Sequence, residues 1–208
     1  MAAARAGSVP VFAAEISKED AELYAENLGV TPHSSNQALF EDLAGMKGLV
    51  TQIHMGFECT SVAANGSQEG LGHSSWRDFD RAVEGIKELD PLTVMWENVP
   101  GLLESKECWD KVTSAFEGLG YSMIHGVADP KDFGVGVSRP RLLGLCMKKA
   151  EADLIGFSKL NVVKKPYSGA RKHPKCIADY LVRPRSTTVP EDAIDWLEFK
   201  AADRKSVV

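Results

Sequence analysis

Short apolar runs alternate with amphipathic segments along most of this chain. Five runs have the length of β-strands, and they lie at residues 9–14, 49–55, 92–96, 121–127 and 142–147. Apolar residues recur at helical spacing across 21–28, 76–89 and 109–119. Because strands that alternate with helices favour βαβ units, the pattern predicts an α/β fold built on a mostly parallel sheet.

The pattern weakens after about residue 150. Prolines stand at 166, 174, 184 and 190, and only residues 193–200 have helical spacing. We therefore predict an α/β body over 1–150 and a poorly specified appendage over 151–208. The appendage is locally basic between Lys164 and Arg185, which favours a solvated tail over a phosphate contact.

Composition narrows the class of protein. The chain has 208 residues, 44% of them hydrophobic, which is enough for one substantial core. No stretch approaches the roughly 20 apolar residues of a membrane span, and the N-terminus lacks the apolar block of a secretory signal. We expect a soluble intracellular protein that has no membrane partner.

Charge and cysteines exclude further classes. A net charge of −5 is unlike that of a dedicated polyanion binder. The four cysteines, at 59, 108, 146 and 176, have neither the close pairs of a zinc site nor the density of a disulfide scaffold. We expect no metal, reduced thiols, and three cysteines that only fill the core.

Reactive side chains follow two of the predicted strands. Cys59 lies just beyond the run 49–55, and Glu97 follows directly after the run 92–96. If these strands are parallel neighbours, both side chains reach one crevice, because such sheets bind ligands at the carboxyl ends of their strands. Arg139 and Arg141 alternate on an extended segment, so their side chains point the same way.

Three elements in this order resemble the DNA cytosine-5 methyltransferase family. They are Gly56-Phe57-Glu58-Cys59, Glu97-Asn98-Val99-Pro100-Gly101 and Val137-Ser138-Arg139-Pro140-Arg141. The family pattern is a Pro-Cys-Gln turn, then Glu-Asn-Val, then Gln-x-Arg-x-Arg. The resemblance spans about residues 8 to 147 and implies a Rossmann-like methyltransferase fold that uses S-adenosylmethionine.

The resemblance implies a role for each of these side chains. Cys59 would add to carbon 6 of cytosine, since a thiolate is both a strong nucleophile and a competent leaving group. Glu97, kept protonated by a closed apolar site, would hydrogen-bond the ring at N3. Arg141 matches the arginine that contacts the cytosine, and Arg139 matches its supporting partner.

The cofactor candidate is Glu15. A carboxylate that closes a strand of a Rossmann-like unit commonly binds ribose hydroxyls, and residues 11–15 resemble the ribose-binding element of the family. The first strand and the Phe-x-Gly-x-Gly loop of the family should precede Glu15 by about 20 residues. Only fourteen residues stand there, so we expect a chain that lacks the first strand and is truncated at both ends, with 151–208 as the start of a target-recognition region.

Three residues depart from the family pattern. Glu58 replaces the proline, Thr60 replaces the glutamine, and Val137 replaces the glutamine of the arginine element. A carboxylate beside Cys59 disfavours the thiolate, and loss of proline frees a backbone angle in the turn of the nucleophile. These departures predict impaired catalysis.

Several alternatives remain open from the sequence. The substrate is expected to be DNA, with transfer RNA as the alternative, and a catalytically silent paralogue that binds nucleic acid or protein is a further reading. A thiol hydrolase that uses Cys59 with His54 or His73 would leave Glu97-Asn98-Val99 unexplained. The expected compartment is the nucleus in a eukaryote and the cytoplasm otherwise.

Overall fold

The computed structural model describes residues 9–43, 45–57, 61–62, 69–133 and 137–159. Within them the helices are α1 (Lys18–Leu28), α2 (Asn36–Asp42), α3 (Trp76–Leu89), α4 (Lys106–Gly118) and α5 (Lys149–Ile155). The strands are β1 (Gln52–Gly56), β2 (Thr93–Asn98), β3 (Tyr121–Ala128) and β4 (Arg141–Lys148). Short 3-10 turns cover Gly70–Gly72, Pro100–Leu103, Pro130–Phe133 and Phe157–Lys159.

The four described strands form one sheet in the order β1-β2-β4-β3. Strand β1 pairs with β2 in parallel, whereas β4 runs antiparallel to both β2 and β3. The prediction of a mostly parallel sheet is therefore wrong for this part of the chain. The described residues of the connection between β3 and β4, 129–133 and 137–140, contain only a short 3-10 turn and no crossover helix, in keeping with an antiparallel return.

The first predicted strand, at 9–14, is also not a regular strand. Ala14 forms an isolated parallel bridge with His33, supported by hydrogen bonds from Glu15 N to His33 O and from His33 N to Ala13 O, each 2.8 Å. Val9 and Val11 are exposed. A regular strand needs a ladder of backbone hydrogen bonds along at least one edge, and a single bridge does not form such a ladder.

The main core lies on one face of the sheet, under α3 and α4. The central strands β2 and β4 alternate between buried and half-buried residues, as expected when one face is packed on helices. The core joins side chains from α3, β2, the Pro100–Leu103 turn, α4, β3 and β4: Trp76, Phe79, Ile86, Val94, Trp96, Leu102, Cys108, Val112, Phe116, Tyr121, Leu142 and Cys146.

Gly144 is required by this packing. It lies directly opposite Trp96 in the β2–β4 ladder. A Cβ atom at Gly144 would collide with the indole ring of Trp96, so the ring covers the glycine. The largest side chain of the buried face is thereby accommodated between two central strands.

Local sequence signals set the helix ends. The Ser17 hydroxyl accepts a hydrogen bond from Asp20 N at 3.3 Å and caps α1, which ends at Gly29 in the left-handed conformation with φ 69°. Helix α3 ends at Asp90, which has φ 51°, before Pro91. The three predicted helices are confirmed as α1, α3 and α4.

Two helices were not predicted. The side chain of Ser35 accepts a hydrogen bond from Ala38 N at 3.1 Å and begins α2, which packs on α3 where the ring of Phe40 lies against Gly85. Helix α5 follows β4 directly and leads to Phe157, which is 1% exposed. The packed body thus extends to at least Phe157, and the rest of the predicted appendage lies outside the described residues.

None of the helices in the described ranges is both long enough and apolar enough to cross a membrane.

Candidate functional site

One edge of the sheet gathers the ends of β1 and β2 and the start of β4. Gly56, the last residue of β1, lies opposite Glu97 in the parallel ladder. Asn98, the last residue of β2, lies opposite Leu142 at the beginning of β4. The strands that precede Cys59 and Glu97 are thus parallel neighbours, which was the condition for their side chains to reach one crevice. The antiparallel β4 starts where β2 ends, so it delivers Arg141 to the same edge.

Glu97 and Arg141 form an ion pair at this edge. Arg141 Nε donates to Glu97 Oε1 at 2.6 Å, and the two side chains are 27% and 45% exposed respectively. The other oxygen, Glu97 Oε2, faces the end of β1, since a Cβ atom on Gly56 would lie 3.6 Å from it. The pair therefore presents a carboxylate and a guanidinium side by side to solvent, rather than in the closed apolar site that the sequence suggested for Glu97.

The segment that carries Glu97 also holds the chain on both sides of Cys59. The buried Asn98 donates from Nδ2 to Phe57 O at 3.1 Å, and its Oδ1 accepts from Val99 N at 2.8 Å. Further along, the Cα of Gly101 packs so closely on the Val62 carbonyl that a Cβ atom would collide with it. Residues 57 and 62 are thus both fixed by residues 98–101.

Cys59 itself lies outside the described residues, as does Cys176. Cys108 and Cys146 are free thiols and are fully buried in the core. Burial raises the pKa of Cys146 to about 12, which makes its thiol inert at neutral pH. The prediction that these two cysteines fill the core is confirmed.

Arg139 is held through its backbone. Its side chain is exposed, and its backbone N–H donates to Asp129 Oδ1 at 3.1 Å. Arg139 and Arg141 are therefore held differently, the first through its backbone and the second through its guanidinium.

Asp129 is the residue at this edge that sequence reasoning missed. Its Oδ1 also accepts from Lys131 N at 3.2 Å, and its Oδ2 accepts from Ser138 Oγ at 2.8 Å and from Lys131 Nζ at 3.2 Å. Burial by itself would raise the pKa of Asp129, but these hydrogen bonds, led by that from Ser138, outweigh it and lower the pKa to about 2. The Asp129-Pro130 dipeptide, which favours turn initiation, was the available signal.

Glu15 lies on a different element from Glu97 and Arg141. It follows the Ala14 bridge, is half-buried, and accepts a hydrogen bond at Oε1 from Ser17 N at 2.9 Å. Its Oε2 has no second partner among the described residues, so this atom could accept a hydrogen bond from a hydroxyl group of a ligand.

The histidines of the hydrolase alternative are engaged elsewhere or face solvent. His73 Nδ1 lies 2.8 Å from Ser75 Oγ and also accepts from Ser75 N at 3.2 Å. His54 is exposed on β1. The described residues contain no group of His, Cys, Asp and Glu side chains that could hold a metal ion.

Comparison with known proteins identifies the family. The model of the C-5 cytosine-specific DNA methylases matches residues 1–201. The chain is 30% identical over 150 residues to the Type II methyltransferase M.NgoMIV of Neisseria gonorrhoeae, covering 71% of this chain and 44% of that protein. It is 28% identical over 136 residues to the Type II methyltransferase M.BsuFI of Bacillus subtilis, covering 64% and 32%.

A solved structure shares the fold. The Dnmt2 methyltransferase of S. pombe superposes with a TM-score of 0.58 at 23% identity, covering 89% of this chain and 58% of that one. The matched part of this chain covers less than half the length of each of the two Type II methyltransferases. Because the family model matches residues 1–201, the chain belongs to the C-5 cytosine-specific DNA methylase family.

Proposed function

We propose that the chain transfers a methyl group from S-adenosylmethionine to carbon 5 of cytosine in DNA. The observation that carries this proposal is the edge where Glu97 pairs with Arg141 and where Asn98 holds the strand that leads to Cys59. Membership in the family supports the same reaction, as does the similarity to two Type II methyltransferases.

The chemistry follows from these side chains. The Cys59 thiolate would bond to carbon 6 of the ring, while Glu97 as an acid would donate a hydrogen bond or proton to N3 and so allow electron density to build at carbon 5. When bound, S-adenosylmethionine would supply the methyl group that carbon 5 receives. Transfer of the carbon 5 proton to a solvent water would then break the C6–S bond, release the Cys59 thiolate and return the N3 proton to Glu97.

Arg141 supports this reaction through its position beside Glu97. A guanidinium offers several N–H donors in one plane, so Arg141 could keep its bond to Glu97 and also donate to the ring oxygen of cytosine. Entry of the base would displace water from this half-exposed edge. Both interactions would become stronger as the local dielectric falls.

Glu15 is the proposed cofactor-binding residue. Its half-buried carboxylate is oriented by Ser17 N, and Oε2 is available to a ribose hydroxyl. The residues present therefore fit the ribose of S-adenosylmethionine at this position. We propose no further cofactor contacts.

DNA is the proposed partner. The target base must leave the helix stack to reach a pocket of this kind. The exposed Arg139 would then contact the phosphate beside the base while Arg141 contacts the ring. The RNA alternative is tested directly by offering both substrates.

We also propose that methyl transfer by this chain is slow. Glu58 stands beside Cys59, where its charge disfavours the thiolate, and the turn lacks the family proline. The test is transfer of tritiated methyl groups from S-adenosylmethionine to cytosine-containing duplex DNA and to transfer RNA. The variants are Cys59→Ser and the double substitution Glu58→Pro with Thr60→Gln.

We expect weak transfer to DNA that Cys59→Ser abolishes and that the double substitution increases. Rapid transfer by the unaltered chain would contradict the impairment. Binding of DNA without transfer by either form would favour the silent paralogue, and transfer to RNA alone would replace the proposed substrate.

A further inference from the structure

Asp129 binds both ends of the connection between β3 and β4. It is the first residue after β3, whose last residue, Ala128, pairs with Arg141 at the start of β4. Its carboxylate accepts hydrogen bonds from Lys131 near the start of the connection and from Ser138 and Arg139 near its end. We call this set of contacts the Asp129 clasp.

The hydrogen bonds of the Asp129 clasp lie outside the β3–β4 ladder and are not duplicated by it. The β3–β4 register runs without a break from Tyr121 opposite Lys148 to Ala128 opposite Arg141. Ser138 and Arg139 lie beyond the end of this ladder. The carboxylate therefore fixes the side chain of Ser138 and the backbone N–H of Arg139, just before Arg141 and the Glu97–Arg141 pair.

Charge also distinguishes the clasp from a surface contact. The Asp129 residue is 7% exposed, whereas the Arg139 side chain points into solvent. Lys131 Nζ lies 3.2 Å from Asp129 Oδ2, so the charge of the carboxylate is balanced locally. Arg139, two residues before Arg141, thus carries an exposed guanidinium on the segment that the clasp holds.

We propose that Asp129 is a positioning residue for DNA binding: its carboxylate holds the Ser138 hydroxyl and the Arg139 backbone N–H so that the Arg139 guanidinium meets the phosphate beside the target base. The inference rests on the proposed function, because it needs DNA at this edge. It assigns Asp129 no contact with DNA.

The direction in which DNA affinity changes when the Asp129 carboxylate is removed tests this proposal. Removing a carboxylate near DNA should strengthen binding, because the repulsion of the phosphates falls. If Asp129 positions Arg139, its removal should weaken binding instead. Asp132 is the matched control, since it lies in the same Pro130–Phe133 turn and is exposed, and its side chain takes no part in the clasp.

The experiment measures the dissociation constant of the full chain for a labelled cytosine-containing duplex at several salt concentrations. We expect Asp129→Ala to weaken binding by about threefold to tenfold and to lower the salt slope by about 0.9, as for one lost phosphate contact. Arg139→Ala should do the same, and the double variant should be no worse than either single one. Asp132→Ala should bind as tightly as the wild type or more tightly.

A second measurement reports on the clasp without DNA. Amide hydrogen exchange at Arg139 should accelerate in Asp129→Ala while the amides of β3 and β4 stay protected. Unchanged protection at Arg139, tighter DNA binding by Asp129→Ala, or multiplicative losses in the double variant would overturn the inference. Absence of binding by the wild-type chain would overturn the proposed function, and with it the role of the clasp in binding, whatever the exchange shows.

Discussion

The sharpest structural prediction concerns Asn98, which holds the strand end before Cys59. Replacing it by alanine removes the donor to Phe57 O and the acceptor of Val99 N. Both bonds involve a side chain that is 2% exposed, so water cannot replace them fully.

The expected loss of stability can be worked from these contacts. Each hydrogen bond contributes about 1 kcal/mol net, and the half-buried carbonyl of Phe57 adds a further cost of up to about 1 kcal/mol when it loses its partner. We therefore expect Asn98→Ala to lower the free energy of unfolding by about 2 to 3 kcal/mol. With a urea slope of about 2 kcal/mol per molar, the unfolding midpoint should fall by about 1 M.

The assay is urea unfolding together with methyl transfer below the unfolding range. Asn27→Ala is the matched control, because Asn27 also donates to a backbone carbonyl, that of Leu23, but on the exposed surface of α1. The free energy of unfolding of Asn27→Ala should differ from that of the wild type by no more than about 0.5 kcal/mol. Folded Asn98→Ala should lose about 100-fold in transfer rate if the nucleophile is displaced by about 1 Å. Equal midpoints for the two variants, or full activity in Asn98→Ala, would refute the clamping of this segment.

Three further predictions follow from single contacts. Tyr121→Phe should cost about 1 to 2 kcal/mol in urea unfolding, because the buried carbonyl that accepts its hydroxyl at 2.6 Å loses its partner; a neutral effect would contradict this. Gly144→Ala should cost about 1 to 3 kcal/mol or more through collision with Trp96, whereas Gly118→Ala, which meets nothing within 4 Å, should be neutral or stabilising. The Asp129 carboxylate has a pKa of about 2 against 3.8 for the ordinary group, so its contribution is complete above about pH 4 and is lost as pH falls toward 2. The stability advantage of the wild type over Asp129→Asn should therefore shrink from pH 5 to pH 2, and a constant difference would be the contrary result.

The sequence predicted the elements better than their arrangement. Helix α3 was found because its apolar spacing and the Asp90-Pro91 stop are both local signals. The pairing direction of β4 depends on how the chain returns after β3, which apolar periodicity does not encode. The available signal was the connection 129–140, whose two prolines and two glycines disfavour the crossover helix that parallel strands usually need.

Some features of the candidate site could be predicted from the sequence, and others depend on the tertiary structure. The sequence indicates where Glu97 and Arg141 lie relative to the strands, because Glu97 follows one apolar run and Arg141 precedes another, but their ion pair is a tertiary contact. Asp129 is an ordinary aspartate in the sequence, and its role appears only when Ser138 and Arg139 return to it across the connection. Contacts of this kind depend on tertiary structure, so residue type and spacing do not reveal them.

The central claim is that Cys59 attacks a cytosine held at the Glu97–Arg141 edge. Its most direct test is covalent trapping on duplex DNA that carries 5-fluorocytosine, because fluorine at carbon 5 cannot leave as a proton and the C6–S bond then persists. In the presence of S-adenosylmethionine we predict a complex that survives denaturation, with the modified peptide containing Cys59 and no complex in Cys59→Ser. A complex that persists in Cys59→Ser, or that maps to another cysteine, would contradict the account.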